Sequence, residues 1–216
     1  MARVSLVGTI HEEIGPASVS ELCAILERLR PEVIFLEVPV EAFDDYYSIF
    51  CRRNLESTAV IKYREDRQVQ LVPVDLPTPA REFFESTELL RMTIRLESPE
   101  YRRLMTLDRN YITRYGFAYL NSRYCSELWS DVDREMQSTI ARLGYRGLAE
   151  VYDSWKETND LRERAWMEAI EEHCRSDAID RGAFLLGAAH RQPIIDKSRA
   201  RSAGDSSGIE WDFSTR

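Results

Sequence analysis

The sequence predicts an α/β fold: a mostly parallel central sheet of about four or more strands, flanked by helices, with a large all-helical insertion before the last strand. Two observations predict this class. Short, continuous apolar runs alternate with segments of helical periodicity, as in parallel sheets that are buried on both faces. The last apolar run is separated from the others by roughly a hundred residues of almost purely helical periodicity.

The first elements form a βαβ unit. Residues 4–7 are an apolar strand, and residues 33–36 are a second one. Between them, Ser18 and Glu21 have the spacing of a capping box, which predicts the start of a helix. The helix should end before Pro31, because the residue that precedes a proline avoids the α region. A strand, a helix and a second strand in this order predict parallel pairing.

The later elements continue the alternation. Residues 41–66 are predicted to be helical, and residues 68–74 to form a third strand. The helical insertion covers about 80–180, and residues 183–186 form the fourth strand. The stretch 197–216 is rich in Ser, Arg, Gly and Asp, so it is predicted to be a flexible tail, although apolar side chains within it could dock on a surface.

The composition is that of an ordinary globular protein. With 216 residues the chain can bury one substantial core, so a single domain over residues 1–196 is the default. The net charge of −8 argues against a general nucleic-acid binder and against docking on anionic lipid. No apolar stretch approaches the roughly 18 residues that a membrane span needs. Four scattered cysteines and the absence of a signal-peptide pattern predict a cytoplasmic location.

Two Gly-x-x-His segments carry the functional signal. Gly8 is followed three positions later by His11, and Gly187 by His190, each directly after a strand-like run. For nine glycines and three histidines, roughly 0.1 such pairs are expected by chance. A single histidine after a strand is more often structural than functional, but the repetition favours a function for both.

Two carboxylates follow the other predicted strands. Glu37 ends an otherwise apolar run, where a carboxylate has to be paired or coordinated. Asp75 follows the third strand, where it is either a site residue or part of an ordinary turn before Pro77. Because ligands of open α/β sheets bind at the carboxyl ends of the strands, these side chains should converge with the two histidines in one crevice.

The converging residues include a metal-ligand set. Two imidazoles and one carboxylate commonly hold Zn, Mn, Fe or Co. His11, Glu37 and His190 are therefore the candidate ligands, with positions open for water or substrate. Glu12, beside the first histidine, is either a partner for the imidazole N–H or a general base.

Candidate substrate-binding residues come from the two glycines and from the late helical segment. Gly8 and Gly187 lack a Cβ, so they let the backbone turn out of the sheet and approach a ligand closely. Arg162 and Arg164 are either exposed helix charges or groups that reach the crevice and hold a carboxylate or an oxyanion. Asn159 and Arg162 are the candidates for binding substrate. His173, near a helix C-terminus, is interpreted as structural.

The insertion contains an unusually aromatic stretch. Core packing or a subunit interface is favoured over a substrate groove for it, and a homodimer is therefore expected. The aromatic residues are Tyr101, Tyr111, Tyr115, Phe117, Tyr119, Tyr124 and Trp129.

In these motifs the chain resembles the TraB/PrgY family, part of a superfamily that also holds Tiki/GumN-like proteins, ChaN-like proteins and erythromycin esterases. The family pattern begins with a strand and Gly-Thr-x-His, here residues 8–11. It continues with a Pro-(Asp/Glu) strand that ends in Glu, here residues 31–37. Arg162 followed by Trp166 matches the family's late helix, and residues 187–190 match its closing Gly-x-x-His.

The resemblance has departures. The family's middle motif usually has Asp followed by Arg, whereas Asp75 is followed by Leu76. The residue after the late-helix arginine, often Asn or Asp in the family, is Glu163 here. Many members also carry C-terminal membrane helices. These differences bear on the substrate more than on the fold.

The resemblance implies a metal-dependent hydrolase of peptidase type. His11, Glu37 and His190 would hold or activate a divalent metal (Zn, Mn or Co) and its water, acting on a peptide or small-molecule substrate. Arg162 would anchor the substrate or stabilise the oxyanion. Two alternatives stay open: a non-enzymatic regulator that sequesters a peptide or small ligand, and a metal-free esterase with a histidine base.

Overall fold

The computed structural model describes residues 1–48, 53–202 and 209–214, and it has the predicted α/β architecture. The strands in these residues are β1 (Ala2–Thr9), β2 (Val33–Pro39), β3 (Gln70–Asp75), β4 (Arg181–Gly187) and β5 (Ile209–Asp212). They pair in parallel throughout and form one sheet in the order β3-β2-β4-β1-β5.

Helices account for most of the remaining described residues. Short 3₁₀ turns follow β2 (Val40–Ala42) and β4 (Ala188–His190). The α-helices are α1 (Val19–Leu29), α2 (Phe43–Tyr47), α3 (Leu55–Glu65), α4 (Arg81–Glu97), α5 (Pro99–Leu120), α6 (Arg123–Leu143), α7 (Arg146–Ser176) and α8 (Arg191–Ser202).

The sheet is buried on both faces, which explains why its central strands are continuous apolar runs. Successive residues of a strand point to opposite faces. Val7 and Leu185 belong to a core shared with α1 and α3. Their neighbours Leu6 and Phe184 belong to a second core, which is shared with α7 and α8.

The chain leaves the two middle strands in opposite directions. Strand β1 is followed by α1 on one face of the sheet, whereas β4 is followed by α8 on the other face. Because β1 and β4 are neighbours, their carboxyl ends form a switch point, the place where open α/β sheets bind their ligands. Strand β2, on the far side of β4, continues to the α1 face through α3. Residues at the carboxyl ends of β2, β4 and β1 are therefore the candidates for binding a ligand.

The helical insertion consists of α4 to α7, between β3 and β4, and it has its own core. Leu90, Leu104, Val132 and Tyr152 from its four helices belong to this core. Helix α7 joins the insertion to the sheet, because further along it Trp166 is fully buried in the core on the α8 side. None of the described helices is both long and apolar enough to cross a membrane.

The predicted flexible tail over 197–216 is wrong where the structure describes it. Helix α8 continues to Ser202, and β5 pairs with the edge of β1 from Ala2 to Ser5. Ile209 is only 6% exposed and belongs to the core on the α7 face. The segment is polar in composition, so its local sequence does not indicate a strand. The free edge of β1 determines where this short edge strand pairs.

The prediction that residues 41–66 are helical is confirmed only in part. The segment begins with a 3₁₀ turn and the five-residue α2, and extended backbone at Ser48 ends that helix. Helix α3 then starts afresh, because the Asn54 side chain accepts a hydrogen bond from the Ser57 N–H and the two residues form a capping box. Residues 49–52 lie outside the described part.

Candidate active site

The predicted polar residues lie at the carboxyl ends of four adjacent strands. Asp75 ends β3, Glu37 lies near the end of β2, His190 follows β4 through a 3₁₀ turn, and His11 comes two residues after β1. The sheet order makes these four ends neighbours. The topology therefore brings together the residues that the sequence motifs singled out.

Arg162 of α7 joins the carboxylates of β2 and β3. Its Nη2 donates to Glu37 Oε1 at 2.8 Å and to Asp75 Oδ2 at 2.7 Å, and its Nε donates to Asp75 Oδ1 at 3.0 Å. The Trp166 Nε1–H also donates to Asp75 Oδ1, at 2.7 Å, and the guanidinium lies over the indole ring. Burial lowers the pKa of Arg162, but its two carboxylate partners raise it above its usual value. The arginine therefore stays charged.

Glu37 is engaged through both carboxylate oxygens. Oε1 accepts from Arg162, and Oε2 accepts from the Gly187 backbone N–H at 2.7 Å. The His190 Nε2 atom lies 3.9 Å from Oε1. Glu37 thus connects the end of β2 with the end of β4 and with the closing Gly-x-x-His segment.

His190 is oriented by a buried carboxylate. Its Nδ1 lies 2.8 Å from Glu163 Oε1, and the Glu163 side chain is only 5% exposed. Lys197 Nζ donates to Glu163 Oε2 at 2.7 Å and also lies 2.9 Å from Asp160 Oδ1. Because a carboxylate accepts hydrogen bonds, Nδ1 carries a proton, and in the neutral imidazole the lone pair is then on Nε2. The edge contact with Trp166 holds the imidazole ring from the side.

His11 has a similar partner but a more open environment. Its Nδ1 lies 3.1 Å from Glu56 Oε1, and the Thr9 hydroxyl donates to the same oxygen at 2.7 Å. The His11 side chain is 73% exposed, whereas that of Glu56 is 10% exposed. The hydrogen bond to Glu56 is the main cause that raises the pKa of His11 above its usual value; burial opposes it, and the charges of Glu37 and Glu12 add to it.

Replacing Glu56 by glutamine is expected to lower the pKa of His11 toward the ordinary value of about 6.5, because the charged acceptor is lost while an oxygen for Thr9 remains. Titration of the histidine Cε1–H signals by NMR measures it, with His11→Ala to assign the resonance. Glu12→Gln is the matched control, since Glu12 is the weakest of the named causes and its loss should shift the pKa less.

The sign of the effect on stability follows from the raised pKa. The His11–Glu56 pair stabilises the folded state below the unfolded pKa of about 6.5, and this contribution is lost as the pH rises through the folded pKa. If Glu56→Gln and Glu12→Gln shift the pKa of His11 equally in the NMR titration, the Glu56 contact does not control the protonation of His11.

The two glycines have a different structural role from the one predicted. Neither Gly8 nor Gly187 adopts positive φ, so neither is needed for an unusual turn. The Asn121 side chain accepts from the Gly8 N–H at 2.7 Å and donates to the Gly8 carbonyl at 3.0 Å. Asn121 thereby pairs with β1 beyond the point where β5 ends. The Gly187 N–H is bound to Glu37, and substrate binding by both glycines stays a prediction.

Asn159 and Glu12 lie at the margin of this arrangement. Asn159 Oδ1 is 3.5 Å from Arg162 Nη1, the limit of a hydrogen bond. Glu12 is exposed, and it acts on His11 through its charge. Their predicted roles in substrate binding and catalysis stay predictions.

The structure adds Glu56, Glu163 and Lys197, which the sequence motifs did not identify. One signal was available for Glu163: it lies on the same face of α7 as Asn159 and Trp166, at positions i, i+4 and i+7. Glu56 had no comparable signal, because a glutamate in the first turn of a helix is ordinary.

The predicted metal-ligand set of His11, Glu37 and His190 stays a prediction. Within the described ranges no group of three or more His, Cys, Asp or Glu side chains is placed to hold a metal ion. Glu37, the predicted carboxylate ligand, already has Arg162 and the Gly187 N–H as partners. Each of the Glu37 carboxylate oxygens has a second lone pair that a metal ion could use.

The fold and site are those of an α/β protein with polar side chains gathered at a sheet switch point. No family model matches the chain, and no curated protein matches it, so membership of the TraB/PrgY family is not shown. Among solved structures, a mutant of the erythromycin esterase EreC in its open conformation is similar at 14% identity with a TM-score of 0.36. The match covers 86% of this chain and 60% of the esterase. This TM-score is too low to carry an argument about function.

Proposed function

We propose that this protein is a hydrolase of ester or amide bonds, with its active site at the carboxyl ends of β1, β2 and β4. One observation supports the proposal above all: His190 is bound through Nδ1 to the buried Glu163, which leaves Nε2 free. A histidine held in this tautomer by a carboxylate is the usual general base for activating a nucleophile.

The proposed reaction uses this base on a water molecule. His190 Nε2 removes a proton from water as the water oxygen attacks the carbonyl carbon of the substrate. The negative charge of Glu163 stabilises the imidazolium that forms, and Lys197 keeps that carboxylate in position. When the tetrahedral intermediate collapses, the imidazolium returns the proton to the leaving alcohol or amine, so that no proton is gained or lost by the enzyme.

Arg162 is the candidate group for binding a substrate oxygen. Its Nε and Nη2 atoms are occupied by Glu37 and Asp75. Its Nη1 atom has only a long contact to Asn159. The N–H groups on Nη1 can therefore donate hydrogen bonds to a carbonyl oxygen or an oxyanion of the substrate.

A metal-dependent version of the same function has its own support. Both His11 and His190 bind a carboxylate through Nδ1, which is the arrangement of histidines that ligate a metal through Nε2. A bound Zn, Mn or Co ion would lower the pKa of its water and polarise the scissile carbonyl.

The experiment is a substrate screen with metal content measured in parallel. Purified protein is assayed on p-nitrophenyl esters and on a quenched-fluorescent peptide library, after removal of metals by chelation and after addition of Zn, Mn or Co. Elemental analysis of the untreated protein gives the metal stoichiometry. Turnover that survives chelation supports the histidine base, and turnover restored only by a metal supports the metal version.

Sequestration of a peptide or small ligand is the alternative from a different class. Mass spectrometry of the peptides that stay with the protein in size-exclusion chromatography distinguishes it from hydrolysis. Retained, uncleaved peptides with no turnover anywhere in the screen would overturn the proposed hydrolase in favour of a binding protein.

A further inference from the structure

Helix α4 exposes a stripe of large apolar side chains on the outside of the helical insertion. Leu89 is 62% exposed, Met92 55% and Leu96 76%. Their spacing of i, i+3 and i+7 places them on one face. The side chains that α4 buries in the insertion, Thr87 and Leu90 among them, point to the opposite side of the helix. The α4 stripe, defined as Leu89, Met92 and Leu96, is therefore a second, uncovered apolar face.

The charges that flank the α4 stripe identify its partner. Glu88 and Arg95 are exposed and lie on the same side of the stripe, seven residues apart. At a rise of 1.5 Å per residue they are separated by about 10.5 Å along the helix axis, too far for an ion pair within one chain. Two α4 helices that pack antiparallel would place Glu88 of each copy beside Arg95 of the other. A parallel arrangement would place the Glu88 and Arg95 side chains of the two copies on opposite sides of the contact, where they could not pair.

We propose that the α4 stripe binds the same stripe of a second copy of this chain, with the two helices antiparallel about a two-fold axis near Met92. The arrangement is self-complementary, as an interface with two-fold symmetry requires. Met92 packs against Met92 of the other copy, Leu89 of one copy packs near Leu96 of the other, and two Glu88–Arg95 ion pairs close one side of the apolar contact. An exposed cluster of large apolar residues with a charged border is a common mark of such an interface.

The location differs from the one that the sequence indicated. The aromatic stretch of the insertion is expected from its composition to form a core or an interface; Tyr101, Phe117 and Tyr119 are buried within the chain, whereas Tyr115 and Tyr124 are exposed. The α4 stripe contains no aromatic residue. The homodimer proposed here thus uses the outer helix of the insertion, and it does not depend on the proposed hydrolase function.

The test compares the oligomeric state of the wild-type protein with that of variants in which the charges of Glu88 and Arg95 are reversed. Sedimentation velocity over low to high micromolar concentrations should show the wild type passing from one chain to two. Glu88→Arg and Arg95→Glu should each shift the midpoint of this transition to at least about tenfold higher concentration, because each places like charges together. The double variant E88R/R95E should restore dimerisation, since the pair is re-formed with its signs reversed.

Two further variants complete the test. Leu89→Glu should abolish the dimer, whereas Glu127→Arg, which reverses an exposed glutamate on α6, should leave the transition where it is in the wild type. Circular dichroism confirms that each variant folds. A wild type that stays monomeric overturns the proposal, as does a dimer that is indifferent to L89E and E88R. A double variant that stays monomeric overturns the antiparallel arrangement.

Discussion

Replacing Arg162 by alanine is expected to lower the free energy of unfolding by about 3–5 kcal/mol, because removing one partner of a buried ion pair leaves an uncompensated charge. The change leaves two largely buried carboxylates without their guanidinium partner: the Asp75 side chain is 7% exposed and that of Glu37 is 16% exposed. Trp166 still donates to Asp75, which limits the loss at that carboxylate. For a chain of this length the melting temperature should fall by roughly 6–20 °C. Urea denaturation and calorimetry measure both quantities.

The same helix provides a matched control. Arg164, two residues further along α7, is paired with Asp160 on the surface, and both side chains are about half exposed. Arg164→Ala should cost less than about 1 kcal/mol, as is usual for an exposed pair. Arg162→Lys should fall between the two, because an ammonium keeps the charge but cannot bind both carboxylates with a planar fork. Equal losses in R162A and R164A would mean that the Glu37–Arg162–Asp75 contacts do not stabilise the fold.

Part of this site could be predicted from the sequence because its signals are local. The apolar residues before Glu37 require a strand buried on both faces, and a carboxylate at the end of such a strand needs a partner. The glycine and histidine of each Gly-x-x-His segment are three residues apart, so the pattern is visible without knowing the fold. Parallel pairing then places the strand ends at one edge of the sheet, as the structure has them.

The partners could not be predicted because they depend on contacts between distant residues. Glu163 is 27 residues from His190, and Glu56 is 45 residues from His11. Helical periodicity indicates which residues share a face, but not which face meets the sheet. The sequence therefore left Arg162 open between an exposed residue and a site residue, and the packing of α7 against β3 places it in contact with Asp75.

The edge strand β5 shows the same limit for the fold. The apolar Ile209 and Trp211 alternate with Glu210 and Asp212 over only four residues. So short a pattern is too weak to outweigh the polar stretch before it. Its pairing with β1, two hundred residues earlier in the chain, supplies the stability that local propensity lacks.

Replacing His190 by alanine is expected to lower kcat by about 10²–10⁴-fold on any substrate found in the screen, which is the usual contribution of a general base. The variant His173→Gln is the control. His173 is the remaining histidine of the chain, and it packs edge-on against Phe35, away from the carboxyl ends of the strands. Its replacement should leave kcat unchanged. Stopped assays with each protein at saturating substrate give kcat, and circular dichroism shows whether each variant is folded.

A variant of Glu163 tests whether His190 needs this carboxylate in order to act as a base. Glu163→Gln keeps an oxygen that can accept from His190 Nδ1–H but removes the charge that stabilises the imidazolium in the transition state. We expect kcat to fall while KM stays the same, since the carboxylate contacts the base and not the substrate. Lys197→Met, which removes the cation on the far oxygen of Glu163, should lower kcat less. A His190→Ala variant with full kcat would show that His190 is not the base, and the exposed His11 would be the next candidate to test in the same way.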